Sequence, residues 1–493
     1  MVLKPYYNKD INIFAETNFR DQRKKFGIKR EDRRRHMYVV GKTGMGKTAM
    51  IKHMIVQDIK AGEGICVVDS SGSLVRELLY YVPKDRVRDV IFFNPADISY
   101  PVGFNVLGSV ANDLERQEVI WALISMFKDV WQDVWGPRLE YLFTAALESL
   151  LYNPEHTLLH CMPLLTDPAF RQSVLEGIDN PVILDFWHKE FEESKERLQQ
   201  VAIYPLMDKM RQIMSNPLMR NIIGQTKTSF DFDDILDKKR IVLVLLDQTK
   251  IGAEASRLLG TAFIAKLAQR VKRAQNDPRD FYLYVDELQH FVNIQLRELA
   301  GTSQYGMNLI LVNQYIAQLP SYMREAIFGN VGTIVAFRTG VEDASILADE
   351  FSPSVKEETL LALPQKTIVV KLSIDGQTHD AFTAVTMEPL PLVGLADTII
   401  AYSRETYGKR KEVVEKQIME GLRMKQEPEN VVNSEANEAP MEESAKEETA
   451  VIDERALAEF RQKLDSTILA AQKPLKNRIG EYKEVVAGEE VSF

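Results

Sequence analysis

The residues best suited to chemistry lie together in one glycine-rich stretch, Gly41–Thr48, which reads Gly-Lys-Thr-Gly-Met-Gly-Lys-Thr. The stretch fits the pattern G-x-x-x-x-G-K-[ST], in which glycines allow backbone N–H groups to surround phosphate oxygens. In such a loop the lysine, here Lys47, reaches the terminal phosphates of a nucleotide, and the hydroxyl of Thr48 ligates Mg²⁺. The residues predicted to bind the nucleotide are Gly41, Lys42, Thr43, Gly44, Met45, Gly46, Lys47, Thr48 and Ala49.

The residues on either side of this loop provide the elements that must position it. Met37–Val40 is an apolar run typical of a buried strand, and Ala49–Lys60 has the spacing of a helix. The motif requires a strand, a glycine loop and a helix in this order, and the amino end of the helix adds partial positive charge at the phosphates. A glycine-rich turn that binds nothing is the alternative, which the flanking elements disfavour.

Two carboxylates follow a second apolar run, Phe281–Val285. Asp286 is predicted to hold the Mg²⁺ shell, and Glu287 to orient or deprotonate the attacking water. The strand Asn308–Val312 also ends in polar residues, and its Gln314 is predicted to sense the γ-phosphate. The alternative for Gln314 is an amide that only caps its strand.

Strand and helix patterns alternate on both sides of a central helical block, which predicts an α/β fold with a doubly wound parallel sheet. An extra strand between the loop strand and the acidic strand is typical of RecA-like motor domains. It favours hydrolysis coupled to movement over phosphoryl transfer to a small molecule. Further predicted elements are strands Gly64–Asp69, Val90–Phe93, Ile241–Leu246, Thr333–Phe337 and Thr367–Lys371, and the helix Ala253–Lys272.

Changes in composition predict the domain boundaries. The P-loop NTPase domain comprises residues 37–109 and 226–400, and residues 110–225, which contain all four tryptophans, form an inserted all-α domain. The remaining predicted parts are a basic N-terminal segment, 1–36, a charged helix, 401–426, an acidic disordered linker, 427–450, and a C-terminal helical tail, 451–493.

Charge is distributed unevenly along the chain, whose formal net charge is −10. Arg20–Arg35 contains nine Lys or Arg and three Asp or Glu, whereas Glu427–Thr449 contains eight Glu and one Lys. The basic segment is suited to contact with nucleic acid, but it is equally consistent with a solvated stretch or one that faces another subunit.

Two features predict a cytoplasmic protein. Cys66 and Cys161 are too few for a disulfide framework and lie in apolar surroundings, as buried reduced thiols do. The sequence shows neither a run of about 18 apolar residues nor an apolar leader, so we expect no membrane span and no export by that route. Contact with the inner face of a membrane would then depend on partner proteins.

Several motifs in order resemble the DNA-binding domain of type IV secretion coupling proteins, the TraD/TraG-like conjugative ATPases related to the HerA and FtsK DNA translocases. The resemblance covers about residues 14–400. The motifs that carry it are Lys29–Thr48, Phe92–Asp97 with Pro101–Asn105, Trp135–Arg138, Tyr284–Gln289, and Phe328–Thr333 with Phe337 and Arg338.

This resemblance implies a hexameric ring of identical subunits, with ATP at the subunit interfaces and DNA in a central channel. A relaxase or secretion-channel proteins become candidate partners, and the helical block corresponds to the family's all-α domain. The residues that keep the roles derived above are Lys47, Thr48, Asp286, Glu287 and Gln314.

The arginine that would reach a neighbour's γ-phosphate is not at its expected place in this chain. Ser303 stands where the family tends to have it, and such an arginine contributes ~10³–10⁵ in rate. Hydrolysis is therefore expected to be slow unless Arg338 or Arg297 replaces it. Arg338 and Arg138 are the two basic candidates, although either is also consistent with a structural salt bridge.

Two further departures concern the second strand and the N-terminus. The family usually has Asp-Pro-His-Gly after its second strand, whereas this chain has Asp-Ser-Ser-Gly at Asp69–Gly72. The loss of the histidine is expected to alter the loop or a contact near the nucleotide. Membrane-anchored coupling proteins carry N-terminal transmembrane helices and HerA carries a barrel, neither of which the sequence shows before Met37.

Together these observations predict an ATP-dependent DNA translocase that uses ATP and Mg²⁺. One alternative is a nucleotide-gated assembly scaffold with weak or no hydrolysis, which Ser303 favours and the intact Lys47, Asp286 and Glu287 disfavour. Another alternative is a secretion ATPase for protein substrates, which the nearly neutral body of the chain permits.

Overall fold

A large, mostly parallel sheet forms the centre of the structure. The computed structural model describes residues 10–18, 23–108, 110, 112–193, 196, 199–273, 279–301, 304–388 and 390–422. In this part of the chain the sheet is 11-stranded, in the order β2-β1-β13-β10-β9-β3-β8-β7-β4-β6-β5. Its strands are β1 Ile11–Thr17, β2 Lys25–Lys29, β3 Met37–Val40, β4 Gly64–Asp69, β5 Val90–Phe93, β6 Ile241–Leu245, β7 Phe281–Asp286, β8 Met307–Asn313, β9 Thr333–Ala336, β10 Thr367–Lys371 and β13 Phe382–Thr386, and a separate hairpin consists of β11 Ser373–Ile374 and β12 Gln377–Thr378.

This arrangement confirms the predicted α/β fold. The strands from β9 to β5 run parallel, and β8 lies between the loop strand β3 and the acidic strand β7. Successive residues of β3 face opposite layers, since Tyr38 and Val40 belong to one apolar core and Met37 and Val39 to the other. Packed layers therefore cover both faces of the sheet, as in a doubly wound domain.

Helices form the two layers, and their apolar faces pack against the strands. The layer that contains Met37 and Val39 includes the helices Lys47–Ala61, Ser73–Leu78 and Ala396–Tyr407, and the 3₁₀ helix Lys84–Asp89. The opposite layer includes the helices Phe232–Asp237, Gln248–Ile251, Ala253–Arg273, Ile294–Ala300, Ser321–Asn330, Val341–Glu350 and Glu357–Ala362, with short 3₁₀ helices at Leu288–His290 and Ile316–Gln318.

Antiparallel strands extend the sheet beyond β9, and most of them were not predicted. β10 pairs with β9 and β13, and β1 pairs with β13 and β2, all antiparallel. Neither β2 nor β13 has a clear signal in the sequence, because Lys-Phe-Gly-Ile-Lys and Phe-Thr-Ala-Val-Thr are short and lack a continuous apolar run. Two strands of the sheet, β1 and β2, thus lie within the predicted N-terminal segment 1–36.

Between residues 112 and 223 the described elements are helical. Phe104 and Phe230, where the chain enters and leaves this block, pack with Phe93 of β5 and Phe263. The helical block and the sheet thus share one apolar core and belong to one compact unit, Met1–Gln426. The separate all-α domain at 110–225 stays a prediction. The helices are Asp113–Val130, Pro137–Leu150, Cys161–Thr166, Pro168–Leu175, Pro181–Asp185, Tyr204–Ser215 and Pro217–Ile223, with a 3₁₀ helix at Leu158–His160 and π-helical turns at Phe186–Phe191 and Gln199–Ile203.

The stretch predicted as one charged helix, 401–426, instead contains the end of one helix and the whole of another. The helix Ala396–Tyr407 stops before Gly408, which is extended and forms a bridge to Val102, and a second helix follows at Lys411–Leu422. A Cβ at Gly408 would lie 2.7 Å from the carbonyl of Arg404, so a glycine is needed at this tight turn. The predicted linker 427–450 and tail 451–493 lie outside the described residues.

Three arginines of the basic segment form ion pairs with carboxylates of the same chain. Neither interpretation of the segment from the sequence, as a nucleic-acid contact or as a solvated or subunit-facing stretch, included these ion pairs. The Nε atoms of Arg30 and Arg34 each lie 2.9 Å from a carboxylate oxygen of Asp280. Arg33 forms a bidentate pair with Asp58, with N–O distances of 2.7 and 2.8 Å. These ion pairs hold the residues before β3 against the amino edge of the sheet, and the Arg33 guanidinium is buried there.

The pair of Arg33 and Asp58 lies in the interior of the protein. Both side chains are about 95% buried, and the Arg33 guanidinium stacks 3.7 Å from the centre of the Tyr282 ring. Tyr284 accepts a hydrogen bond from Arg33 and donates one to Asp58. Burial opposes the charge of Arg33, but Asp58 and Tyr284 outweigh it and raise the pKa of the guanidinium above its usual value.

Two smaller predictions concern thiols and membranes. Cys66 and Cys161 are free and buried, as predicted, and burial raises the pKa of both thiols. Within the ranges described above, the structure contains no helix that combines the length and the apolar character needed to cross a membrane.

Asp58→Ala is expected to destabilise the protein by about 3–5 kcal/mol, because Arg33 would stay buried without a carboxylate partner. The midpoint of urea unfolding, followed by tryptophan fluorescence, measures this loss. Lys189→Ala is the matched control, since the ion pair of Lys189 and Asp185 is exposed and such pairs contribute about 0–1 kcal/mol. Equal shifts for the two variants would contradict the stabilising role assigned to the buried pair.

Candidate nucleotide site

The loop Gly41–Gly46 joins β3 to the helix Lys47–Ala61 and depends on glycine backbone angles. Gly41, Gly44 and Gly46 have φ of 151°, 77° and 115°. A Cβ on Gly41 would lie 2.6 Å from the Cβ of Phe337, so the loop passes very close to the end of β9. No described side chain caps the amino end of the helix, which leaves its first N–H groups to an anion.

A second segment holds the tip of this loop, and sequence analysis did not find it. The Gln365 Nε2 donates to the carbonyl of Gly44 at 2.8 Å, and the backbone N–H of Lys366 donates to the carbonyl of Met45 at 2.9 Å. Lys366 has a φ of 63°, a left-handed conformation that costs a residue with a side chain on the order of 1 kcal/mol. We call Gln365 and Lys366 the loop clamp, because together they bind two carbonyls of the loop.

Lys47 is 6% exposed and lies within the loop. Its Nζ donates to the carbonyl of Gly41 at 2.5 Å and to that of Lys42 at 3.2 Å. Burial lowers the pKa of Lys47, whereas the nearby carboxylates of Glu287 and Asp286 raise it. A phosphate group in the loop would therefore meet a desolvated ammonium that is already aimed at the loop backbone.

The surroundings of Asp286 fit a magnesium ion. Asp286 is 3% exposed, and its Oδ2 lies 3.4 Å from the Thr48 Oγ1. Burial, together with the carboxylates of Asp69 and Glu287, raises the pKa of Asp286 to about 7. Mg²⁺ prefers oxygen ligands and a surplus of negative charge. Thr48 and Asp286, the two residues predicted from the sequence to ligate the ion, are therefore suited to hold it.

Both oxygens of the Glu287 carboxylate accept a hydrogen bond from an amide. The Gln314 Nε2 donates to Oε1 at 2.9 Å, and the Gln289 Nε2 donates to Oε2 at 2.6 Å. The Thr43 Oγ1 donates to the Gln314 Oε1 at 3.1 Å, which connects the loop to the carboxylate. Glu287 itself has a φ of 56°, an unusual conformation that such sites retain.

The structure thus places Gln314 between Thr43 of the loop and Glu287, and its sensor role stays a prediction. Gln289, by contrast, had no role in the sequence analysis, although it belongs to the motif Tyr284–Gln289. Gln289 lies two residues after Glu287, but this spacing alone does not predict that the two side chains meet. Their contact depends on the left-handed backbone at Glu287, which the sequence does not reveal.

Asp69 organises the turn that departs from the family's usual pattern. One of its oxygens accepts bonds from the N–H groups of Ser71 and Gly72 and from the Ser71 hydroxyl, at 2.8–2.9 Å. Its other oxygen accepts from the N–H of Val75 at 3.0 Å. The Ser71 hydroxyl also accepts a bond from the Ser73 N–H at 3.2 Å, so the polar groups of the turn after β4 have partners without the histidine.

The predicted arginines occupy three different places. Arg338 borders the loop of its own chain, since its carbonyl accepts a bond from the Lys42 N–H at 2.8 Å. Arg138 begins the helix Pro137–Leu150, and Arg297 is on the helix Ile294–Ala300. None of these guanidinium groups forms an ion pair with a described residue. Ser303 lies outside the described residues.

A glycine loop between a strand and a helix, with an acidic strand two positions away in the sheet, defines a P-loop NTPase fold. The family model for the type IV secretion-system coupling protein DNA-binding domain matches residues 25–352. The chain belongs to this family, which confirms the resemblance found in the sequence motifs. A search of the curated proteins gave no match.

Solved structures of two kinds share the fold. The plasmid coupling protein TrwB in complex with ADP and Mg²⁺ is 17% identical with a TM-score of 0.56, over 74% of this chain and 88% of that chain. TrwB in complex with a non-hydrolysable GTP analogue is 15% identical with a TM-score of 0.54, over the same shares. VirB4 of Thermoanaerobacter pseudethanolicus is 14% identical with a TM-score of 0.55, over 78% of this chain and 98% of that chain.

Gly41→Ala is expected to weaken ADP binding by tenfold or more, because the new Cβ would collide with Phe337 and displace the loop. Fluorescence titration with a labelled ADP measures the affinity. Gly252→Ala is the matched control, since Gly252 also has a positive φ, of 86°, but no atom within 4 Å of an added Cβ. Backbone strain is common to both variants, so an equal loss of affinity would show that loop geometry is not the cause.

Proposed function

We propose that the protein is an ATP-dependent DNA translocase of the coupling-protein type. The observation that carries this proposal is the convergence of Lys47, Asp286 and Glu287 at the glycine loop, where Thr48 lies 3.4 Å from Asp286 and Gln314 bonds both Thr43 and Glu287. The family to which the chain belongs supplies the second half of the proposal, because its matched region is a DNA-binding domain of coupling proteins.

Each residue has one task in the proposed hydrolysis of ATP. Lys47 and the N–H groups of the loop bind the phosphates, and Thr48 and Asp286 hold Mg²⁺, which when bound neutralises charge on the phosphate oxygens. Glu287 accepts a proton from the water that attacks the γ-phosphorus, while the bond to the bridging oxygen breaks and ADP leaves. Gln314 connects the γ-phosphate to β8 through its bonds to Thr43 and Glu287.

The nucleotide and the metal are supported by relatives of the same fold. TrwB has been solved with ADP and Mg²⁺ and with non-hydrolysable analogues of GTP and of ATP. We propose that this chain also binds a purine nucleotide with Mg²⁺ and that its substrate is ATP. Because TrwB also accepted a GTP analogue, GTP belongs in every assay of turnover beside ATP.

The proposed assembly is a homo-hexameric ring with DNA in its channel. A relaxase or secretion-channel proteins are the proposed partners, and they would bring a cytoplasmic ring to the inner face of the membrane. For Arg338 we propose a role at the γ-phosphate. Its position beside the loop supports this role, since its backbone carbonyl accepts a bond from the Lys42 N–H.

We propose that three residues of the basic segment contact DNA. Arg23, Lys24 and Lys25 are exposed and follow β1, whereas Arg30, Arg33 and Arg34 are engaged by carboxylates. Contacts of exposed lysine and arginine with phosphates would be independent of base sequence and sensitive to salt.

Glu287→Gln is expected to lower DNA-stimulated ATP turnover by roughly 10²–10⁴-fold, which is the usual contribution of general-base catalysis. Affinity for ADP should change little, because the amide keeps the shape of the side chain. Steady-state phosphate release, with and without single- and double-stranded DNA, measures turnover. Glu325→Gln is the control, since Glu325 is exposed on the helix Ser321–Asn330.

Two results would redirect the proposal. Tight nucleotide binding by the wild-type protein without turnover, with or without DNA, would favour the nucleotide-gated scaffold and point to Ser303. Turnover that neither form of DNA changes would favour a secretion ATPase for protein substrates.

Replacing Arg23, Lys24 and Lys25 together by alanine is expected to weaken DNA binding and its dependence on salt. The slope of log K against log salt should become shallower by roughly 0.9 for each phosphate of duplex DNA that the protein no longer neutralises. Fluorescence anisotropy at several salt concentrations measures both quantities. Lys409→Ala with Arg410→Ala removes exposed charge elsewhere, and an equal change in slope for that control would contradict a specific role of the basic segment.

A further inference from the structure

A cavity of about 800 Å³ lies where the chain crosses between the sheet and the helical block. The incoming segment, before the block, contributes Asn105 and Gly108, and the outgoing segment, after it, contributes residues 226–233. The helix Ala253–Arg273 forms a third wall, and Pro154 and Glu155 of the helical block complete the lining. Sites for small molecules commonly measure about 300–1,000 Å³. No residue of the candidate nucleotide site lines this cavity.

Lys266 is the central cation of this cavity. Its Nζ donates to the carbonyl of Leu107 at 2.6 Å, and it lies 3.1 Å from the point that a Cβ on Gly108 would occupy. The ammonium thus touches the incoming segment next to Gly108, which has a φ of 66°. Within the described part of the chain no carboxylate forms an ion pair with Lys266.

Gln269, one helical turn further, adds a donor that lacks an acceptor. Its side chain lines the same cavity, the residue is 8% exposed, and its buried Nε2 has no hydrogen-bond partner among the described residues. A buried donor left unbonded costs about 1–3 kcal/mol, so such a group usually has a partner. The Gln269 amide therefore lacks an acceptor in a cavity that Lys266 also lines.

The two arginines of the cavity already have partners. Arg270 forms an ion pair with Asp233, and Arg273 forms one with Glu115 at 2.8 Å. Of the three cations that the helix Ala253–Arg273 contributes to the cavity, Lys266 is thus the one without an ion pair to a described residue. A ligand that supplies both negative charge and acceptor oxygens would satisfy Lys266 and Gln269 at once.

We propose that this cavity binds an oxyanion, a phosphate or carboxylate group, through the Lys266 Nζ and the Gln269 Nε2. The site is separate from the nucleotide loop and goes beyond the proposed ATPase function. Since both chain crossings of the helical block form its walls, an anion bound there would tie the incoming segment at Gly108 to the helix Ala253–Arg273.

The ionisation of Lys266 gives the site a pH dependence. Burial, and then the charge of Arg273, lower the pKa of Lys266 to about 7, while Glu115 raises it. Lysine is charged below its pKa, and a bound anion stabilises that charged form. Binding should therefore be strong at pH 6 and weaken as pH rises through 7. The other charged residues that line the cavity are Glu155, Lys227, Asp231, Asp233 and Arg270.

Sulfate is the probe for the first test, because its charge does not change between pH 6 and 8. The experiment is equilibrium dialysis of radiolabelled sulfate at constant ionic strength, with the full chain carrying Lys47→Ala so that the nucleotide loop does not compete. We expect one bound sulfate, with affinity roughly tenfold lower at pH 8 than at pH 6.

Two variants in this background assign the site. Lys266→Met keeps the stem of the side chain but removes the charge, and Gln269→Leu removes the free donor; each should weaken sulfate binding roughly tenfold or more. Lys272→Met is the matched control, since Lys272 lies on the same helix and pairs with Glu298. Thermal unfolding confirms that each variant is folded.

Sulfate binding that persists in both variants, or the absence of binding to the parent chain, would overturn the proposal. Competition by a short single-stranded oligonucleotide then identifies the natural source of the oxyanion. Displacement of sulfate by the oligonucleotide indicates a nucleic-acid phosphate. Displacement by inorganic phosphate, with no effect of the oligonucleotide, indicates a free anion.

Discussion

Hydrogen bonds between the parallel strands β3, β8 and β7 are the constraint on which the candidate site depends. Val40 is in register with Asn313, and Val285 with Leu311, so the carboxyl ends of these strands meet at one edge of the sheet. Thr48 reaches Asp286 there although 238 residues separate them along the chain. A slip of one residue moves a strand by about 3.3 Å and would break the contacts from Thr43 through Gln314 to Glu287.

The two edges of the sheet have opposite electrostatic characters. At the carboxyl edge, Asp286 lies beside Asp69 and Glu287, and the surplus of negative charge suits a cation. At the amino edge, the arginines before β3 are matched by carboxylates of Asp58 and Asp280 and stabilise the fold. The protein therefore concentrates unmatched charge at the edge where chemistry is proposed and neutralises it at the other.

The sequence predicted those features whose signal is local. The glycine loop, the carboxylates after β7 and the buried parallel strands all have continuous motifs or apolar runs. The ion pairs of the basic segment and the loop clamp were missed because their partners are far apart in the sequence. Gln365, for example, bonds Gly44 across 321 residues, and nothing in either segment identifies the other. The strands β2 and β13 were missed because their residues are only partly apolar.

The loop clamp also has a consequence for biosynthesis. The glycine loop is among the first elements to leave the ribosome, yet Gln365 and Lys366, which hold its tip, emerge more than 300 residues later. Its strand β3 likewise gains its neighbours β8 and β9 only late in translation. A nascent chain therefore cannot complete its nucleotide pocket until most of the polypeptide has been made.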